Sequence, residues 1–251
     1  MKVKMRYEGK TFESCNYGEY VVLEYENSKH IKIKFKNTQS IRVVTAADIR
    51  GGKVLDYEMP TLFGVGILGD VEGLERLCVK TNKVYSLWTN MLKRCYYKPT
   101  KNIYPTYEDC LVSDEFLKYK TFRLWCYNQT GFGEDYFELD KDILSITDQK
   151  VYSPENCCFI PKEINICIRT FKKSSEKVGV TYHKRNKVYQ ANCSIGGKNK
   201  HLGSFKSEHE AFNVYKETKE TYVKHLANKW KARIDPRVFD ALMRWEVALH
   251  D

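Results

Sequence analysis

The chain has 251 residues, which at about 100–200 residues per domain allows one large domain or two to three small ones. A hydrophobic content of 42%, an aromatic content of 14% and only 6 Pro and 14 Gly exclude a disordered or collagen-like chain. The net charge is +10, and residues 171–251 alone carry 17 Lys or Arg against 9 Asp or Glu. So concentrated a positive charge favours nucleic acid first and an anionic membrane surface second. The basic residues fall largely on turn-and-strand sequence instead of an amphipathic helix, so we expect nucleic acid and no membrane partner.

Residues 16–55 have the pattern of short β-strands. Apolar runs at 20–25, 31–36 and 41–49 are joined by short polar turns. This pattern predicts a small barrel-like all-β domain over residues 1–70, either a twisted barrel or a half-barrel. Lys32, Lys34 and Lys36 alternate with apolar residues and therefore share one face. That face is either a solvated surface or a second phosphate-contacting surface. The Gly-rich residues 51–70 predict a linker.

The middle segment, residues 75–170, begins with helices. Tyr85, Trp88, Leu92 and Cys95 recur at helical spacing and predict a buried stripe rather than a cofactor site. Residues 136–168 are then predicted to form a strand, a turn, a second strand and a short helix.

The last third reads as three strands and a helix over residues 178–231. Ser207 and Glu210 form a capping-box pattern at the start of this helix. Asp235 and Pro236 then begin a final helix, residues 235–250. The whole pattern predicts an α+β fold of three small domains, each with its own core, and Leu242 and Trp245 dock the last helix onto one of them.

Cysteine usage and the first residues bear on the cellular compartment. Nine cysteines are thinly spread without a Cys-x-x-Cys pair, which favours free thiols over disulfides or a zinc site. No apolar run reaches about 18 residues, and the first residues lack the apolar core of a signal peptide. We therefore expect a soluble protein of the cytoplasm, or of the host-cell cytoplasm if it is phage-encoded.

Residues 179–215, GVTYHKRNKVYQANCSIGGKNKHLGSFKSEHEAFNVY, resemble the plant-type ethylene-response-factor (AP-two) DNA-binding domain. In that family a three-stranded antiparallel sheet lies in the major groove and a helix packs behind it. Phage and mobile-element nucleases carry this domain as a targeting module. The matching residues are Gly179, Val180, Tyr189, Ala191, Gly197, His201, Leu202, Gly203, Phe205, Glu210 and Ala211.

Strand alternation independently turns Ala191, Cys193 and Ile195 towards the helix, and Gln190 and Asn192 away from it. The amides can pair with adenine edges, and the surrounding cations neutralise phosphates. The AP-two family tends to have Arg where Gln190 and Asn192 stand, which puts guanine-rich readout in doubt. The candidate DNA-binding residues are His183, Lys184, Arg185, Lys187, Tyr189, Gln190, Asn192, Lys198 and Lys200.

The middle segment resembles the HNH nuclease family, whose ββα hairpin binds one Mg²⁺ or Mn²⁺ ion. The run LDKDI at 139–143 stands where that family has an Asp-His pair, and SPENC at 153–157 matches its turn. The resemblance implies Asp140 and Asn165 as metal ligands and Asn156 as the residue that orients the general base.

The position of the general base is occupied by Lys141, and no His lies between His30 and His183. Lysine is a poor base at a pKa near 10, and the neighbouring Asp140 and Asp142 would raise that pKa further. Asp142 is the other candidate base. Two functions follow: a phage-type double-stranded-DNA-binding protein on a silent HNH scaffold, which regulates or blocks a host factor, or an active metal-dependent homing-like endonuclease or nickase. An RNA-binding module is less favoured, because no stacking sheet of the RNA-recognition type is visible.

Overall fold

The computed structural model describes residues 7–69, 82–145, 150–169 and 178–247. These residues form an α+β protein with several separate sheets, which confirms the expected fold class. The strands are β1 Thr11–Ser14, β2 Gly18–Asn27, β3 His30–Phe35, β4 Ile41–Val44, β5 Leu111–Val112, β6 Phe137–Asp140, β7 Val151–Tyr152, β8 Cys158–Pro161, β9 Val180–His183, β10 Val188–Ile195 and β11 Lys198–Phe205. The helices are α1 Ala46–Arg50, α2 Lys83–Tyr96, α3 Lys98–Ile103, α4 Asp114–Leu117, α5 Tyr119–Tyr127, α6 Lys162–Ile168, α7 Glu208–Trp230 and α8 Pro236–Arg244.

The chain divides into two compact units. The first comprises Met1–Glu108 and Asp114–Arg123, and the second comprises Asp109–Ser113 and Leu124–Asp251. The segment 75–170, expected as one domain, therefore contributes to both units.

The N-terminal sheet of the first unit is an antiparallel meander in the order β1-β2-β3-β4. Tyr20, Val22, Ile31, Ile33 and Phe35 are fully buried on one side of it. Since β1 and β4 do not pair, the sheet stays open, and of the two expectations a closed barrel is wrong for the described residues.

The helical part of the first unit packs around Trp88 of α2. This side chain is fully buried, and its indole N–H donates to the carbonyl of Phe116 at 2.8 Å. The Tyr119 ring lies 5.3 Å from it, centroid to centroid. The aromatic stripe is thus core, as its spacing predicts.

The second unit is organised by α7, which contributes to two cores. Ala211, Phe212 and Tyr215 of its first half pack against the sheet of β9, β10 and β11. Val223 and Leu226 of its second half belong to a different cluster, with residues of β8, α6 and α8. This second cluster corrects the expectation that residues 75–170 and 178–231 bury separate cores.

The final helix begins at Pro236, with Asp235 as its N-cap, as expected from the sequence. It ends at Arg244, whereas the sequence predicts that it continues to residue 250. Residues 248–251 lie outside the described residues. Leu242 is fully buried against α7 and α6, and Trp245 packs against both core clusters.

Membrane-spanning helices and disulfides are both absent from the described residues. None of their helices is long and apolar enough to cross a membrane. The eight described cysteines are free thiols, and all but Cys15 are buried, so they act as small apolar residues in the cores. Burial raises the pKa of the Cys126 and Cys157 thiols above the ordinary value.

Gly179 tests the packing of the C-terminal sheet on α7. Its φ is +78°, and a Cβ atom there would lie 2.2 Å from the Tyr215 ring. We expect Gly179→Ala to lower the free energy of unfolding by about 2–4 kcal/mol, from overpacking and left-handed strain together. Gly197→Ala is the matched control, because its φ is +75° but nothing lies within 4 Å of the added Cβ. Equal losses in the two variants, measured by urea unfolding, would contradict the close contact.

Candidate functional site

The sheet of β9, β10 and β11 has one covered face and one open face. Ala191 and Cys193 of β10 are buried against α7. Gln190, Asn192 and Ser194 alternate with them along the same strand and therefore lie on the other face.

A β-bulge sets which residues of β11 join that face. Up to Ala191 the register pairs Gln190 with Ser204; after the shift between Ala191 and Asn192 it pairs Asn192 with His201. Gly203, at φ +148°, lies at this irregularity. Without the shift His201 would stand opposite Cys193, on the helix side.

The bulge thus completes a polar surface that sequence alternation alone does not reveal. The His201 Nδ1 and Asn192 Oδ1 atoms lie 3.3 Å apart, within hydrogen-bonding distance. The pattern of β11 by itself gave no signal for His201 or Asn199, since only the cross-strand register assigns them a face. The open face, as named from here on, comprises Gln190, Asn192, Ser194, Asn199, His201 and Ser204.

Positive side chains lie at both ends of β10. The turn between β9 and β10 carries Lys184, Arg185 and Lys187, all exposed, and is called here the cationic turn. At the other end Lys198 and Lys200 are exposed but pair with Ile195 and Cys193, so the register places them on the helix side of the edge strand. The two groups are separated by the eight residues of β10, about 25 Å of strand.

The two remaining candidates, His183 and Tyr189, differ in their placement. His183 is half-buried, and its Nδ1 accepts a hydrogen bond from the backbone N–H of Asn186 at 3.3 Å, which braces the cationic turn. Tyr189 packs against the core and lies 4.9 Å from the Tyr182 ring, centroid to centroid. Its register assigns it to the helix side, so the expectation that it contacts DNA is corrected to a packing role.

The second candidate site lies on a ββα hairpin formed by β6, β8 and α6. The strands are antiparallel, Asp140 pairs with Cys158, and α6 follows β8 directly. The hairpin site, as named here, comprises Asp140, Lys141, Asp142, Asn156 and Asn165.

Asp140 is buried at the end of β6, and its Oδ2 accepts hydrogen bonds from the backbone N–H groups of Asp142 and Ile143, both at 2.9 Å. Burial raises the pKa of this carboxyl above its ordinary value, against the lowering effect of the two hydrogen bonds. The carboxylate oxygen thus caps the turn after β6.

Lys141 is 6% exposed, and its Nζ donates to Oδ1 of Asp142 and lies 5.6 Å from the centroid of the Tyr152 ring. Burial lowers the pKa of this ammonium, but the hydrogen bond and the charge of Asp142 outweigh it and hold the pKa above its ordinary value. The side chain therefore stays protonated near neutral pH and has no lone pair with which to accept a proton.

The two asparagines are also engaged within the protein. Asn156 donates through Nδ2 to the carbonyl of Val151 at 3.2 Å, and Asn165 donates through Nδ2 to Oε2 of Glu138 at 2.7 Å. Among the described residues, no three His, Cys, Asp or Glu side chains come together as metal ligands.

A buried ammonium next to Asp140 and an Asn165 amide directed at Glu138 do not suit a divalent cation. The residues present therefore do not fit the Mg²⁺ or Mn²⁺ ion that the HNH resemblance implies.

Comparison with known proteins adds no assignment. No family model, no curated protein and no solved structure matches the chain. Function must therefore be inferred from these residues and their geometry.

A double-mutant cycle tests the ion pair between the buried Lys141 and the exposed Asp142. Asp142→Ala leaves the Lys141 ammonium buried without its partner, and we expect a loss of about 1–2 kcal/mol in the free energy of unfolding. In a Lys141→Met background the same Asp142→Ala change should cost almost nothing, because no charge remains to be satisfied. Equal costs in the two backgrounds, measured by urea unfolding, would show that the pair does not contribute to stability.

Proposed function

We propose that the protein binds double-stranded DNA through the open face of its C-terminal sheet. The observation that carries the proposal is the polar cross-strand surface of Gln190, Asn192 and His201, set on a sheet whose other face packs against α7. None of these three side chains has a role in the core. The exposed cations of the cationic turn supply phosphate contacts beside this surface, whereas the register places Lys198 and Lys200 on the helix side and so corrects the expectation that they contact the same DNA.

The chemistry of the open face favours adenine-containing sites. An Asn or Gln amide donates to adenine N7 and accepts from N6–H₂ with a single side chain. Gln190 and Asn192 are two residues apart on β10, about 6.8 Å along the strand, which is close to two steps of about 3.4 Å along a DNA strand. His201 bonds to the Asn192 oxygen and so limits the rotation of the amide.

The hairpin site, in this proposal, is a nuclease-like scaffold without nuclease chemistry. Its Lys141 holds a permanent charge in the position where the HNH family has its general base. Asp140 and Asn165 are committed to contacts that maintain the fold. A DNA-binding protein that regulates or blocks access to a site needs no more than this.

The DNA-binding proposal is tested on the full chain, because removing residues after 170 would also remove α7 from the core that it shares with β8 and α6. We expect Lys184→Gln/Arg185→Gln/Lys187→Gln to weaken binding to every duplex and to reduce the slope of log affinity against log salt by about 2–3. The control replaces three other lysines of the second unit, Lys162, Lys224 and Lys231.

Asn192→Ala separates base contacts from phosphate contacts in the same assay. It should cost about 1–3 kcal/mol on a selected adenine-containing duplex and leave the salt slope unchanged. Duplex binding measured by fluorescence anisotropy that is insensitive to the triple change and to Asn192→Ala would overturn the proposal.

Incubation with supercoiled plasmid in Mg²⁺ or Mn²⁺ separates the silent scaffold from an active nickase. We expect the supercoiled form to persist for the wild type and for Asp140→Ala alike, since Lys141 cannot act as a base. Metal-dependent nicking by the wild type that Asp140→Ala abolishes would instead establish the endonuclease function. Denaturing gels read out both strands.

A further inference from the structure

The first unit contains a cationic cleft that the proposed DNA-binding sheet does not use. Its volume is about 210 Å³, and it lies between β4, the start of α1, the β2–β3 turn and residues 53–57. Lys29, Arg42 and Lys53 contribute to its lining. This volume is smaller than the roughly 300–1,000 Å³ of sites for drug-sized ligands. It suits a phosphate group together with part of the organic group to which the phosphate is bonded.

Arg42 is held in place without a carboxylate. Its guanidinium carbon lies 3.8 Å from the centroid of the Tyr57 ring, and its Nη1 donates to the carbonyl of Leu55. The remaining N–H groups of the fork stay available, in the planar geometry that phosphate oxygens match.

The cleft carries an excess of positive charge. Among the described residues, no ion pair joins Lys29, Arg42 or Lys53 to a carboxylate. Asp48 also lines the cleft, but its Oδ2 accepts from the Thr45 N–H at 3.0 Å and from the Thr45 hydroxyl at 2.6 Å. Three cations therefore face one carboxylate that is already engaged in capping α1.

Apolar side chains lie beside these cations. Val43 is 60% exposed and Leu55 is 41% exposed, and both line the cleft. A partner with an apolar ring next to its phosphate would cover them, whereas inorganic phosphate would not. This combination is that of a nucleotide unit.

Two further lysines continue the positive surface away from the cleft. The register pairs Lys32 with Val43 and Lys34 with Ile41, so both lysines lie on the same exposed face as Val43. Glu24 stands opposite Lys32 on β2, but no ion pair joins them. Lys36, in contrast, is neutralised by Glu19 at 2.7 Å. Arg42 pairs with the buried Ile33 and so lies on the other face of the sheet from these two lysines. The two groups of charge are connected round the edge strand β4, where Val43 lines the cleft.

We propose that this cleft binds a phosphate of a single nucleic-acid strand, whose neighbouring phosphates lie along Lys32 and Lys34. The site is separate from the open face of the C-terminal sheet and uses different chemistry: a stacked guanidinium and lysines instead of amides. The first unit is then a second nucleic-acid-binding element of the same protein.

The test uses the full chain carrying the three Gln substitutions of the cationic turn, so that the cleft is measured without that surface. The probes are a labelled single-stranded oligonucleotide of about 12 nucleotides, AMP and inorganic phosphate. We expect Lys29→Gln/Lys53→Gln to weaken oligonucleotide binding about tenfold or more. Both side chains are exposed and unpaired, so this variant should fold; Arg42→Lys, which keeps the charge but loses the planar fork, should also weaken binding. Lys10→Gln/Arg50→Gln is the control, with the same charge change on exposed residues outside the cleft.

A second pair of substitutions distinguishes a nucleic-acid strand from a free nucleotide as the ligand. Lys32→Gln/Lys34→Gln should weaken binding of the oligonucleotide but not of AMP. If AMP binds as tightly as the oligonucleotide and Lys32→Gln/Lys34→Gln affects neither, the ligand is a free nucleotide and the proposal of a nucleic-acid strand is wrong. Oligonucleotide binding unaffected by Lys29 and Lys53, or an acidic peptide that outcompetes it, would overturn the proposal, whatever the C-terminal sheet does with duplex DNA.

Discussion

The second unit depends on one constraint: the two halves of the 23-residue helix α7 are buried against two different partners. The hydroxyl of Tyr222 accepts the backbone N–H of Gly196 at 2.9 Å, which fixes the β10–β11 turn to the helix. About two turns of α7 further on, Lys229 and Trp230 both donate to Oε2 of Glu163 on α6, at 2.6 and 3.0 Å. The C-terminal sheet and the hairpin are thus both held against one continuous helix, about 34 Å long.

This shared helix determines how each candidate surface can be used. Because α7 packs against one face of the C-terminal sheet, the side chains of the open face need no partners in the core. The hairpin lies against the other half of the helix, where Ile160 and Ile164 belong to the core. Its polar residues hold the turn after β6 and form the ion pair of Lys141 and Asp142.

The lysines of this protein differ in burial and in pairing. Lys141 is desolvated, and its charge is balanced by Asp142 inside the unit, so it adds nothing to attraction at a distance. Those of the cationic turn and of the N-terminal cleft are exposed and unpaired, and only such charges release counterions when they meet phosphates. The net charge therefore indicates the kind of partner, but only the exposed and unpaired cations are available to contact it.

Local features of the protein were predictable from its sequence, because they arise between residues close along the chain. The α+β class, the capping box of Ser207 and Glu210, the start of α8 at Pro236 and the core role of Trp88 all follow from periodicity or capping. Other features rest on non-local packing: the open N-terminal sheet, the bulge that moves His201 to the open face, the burial of Lys141 and the double role of α7. Alternation counted along one strand carries no information about its partner's register, and a bulge of one residue reverses the face of every position beyond it. Tertiary structure therefore decided which polar side chains share a surface.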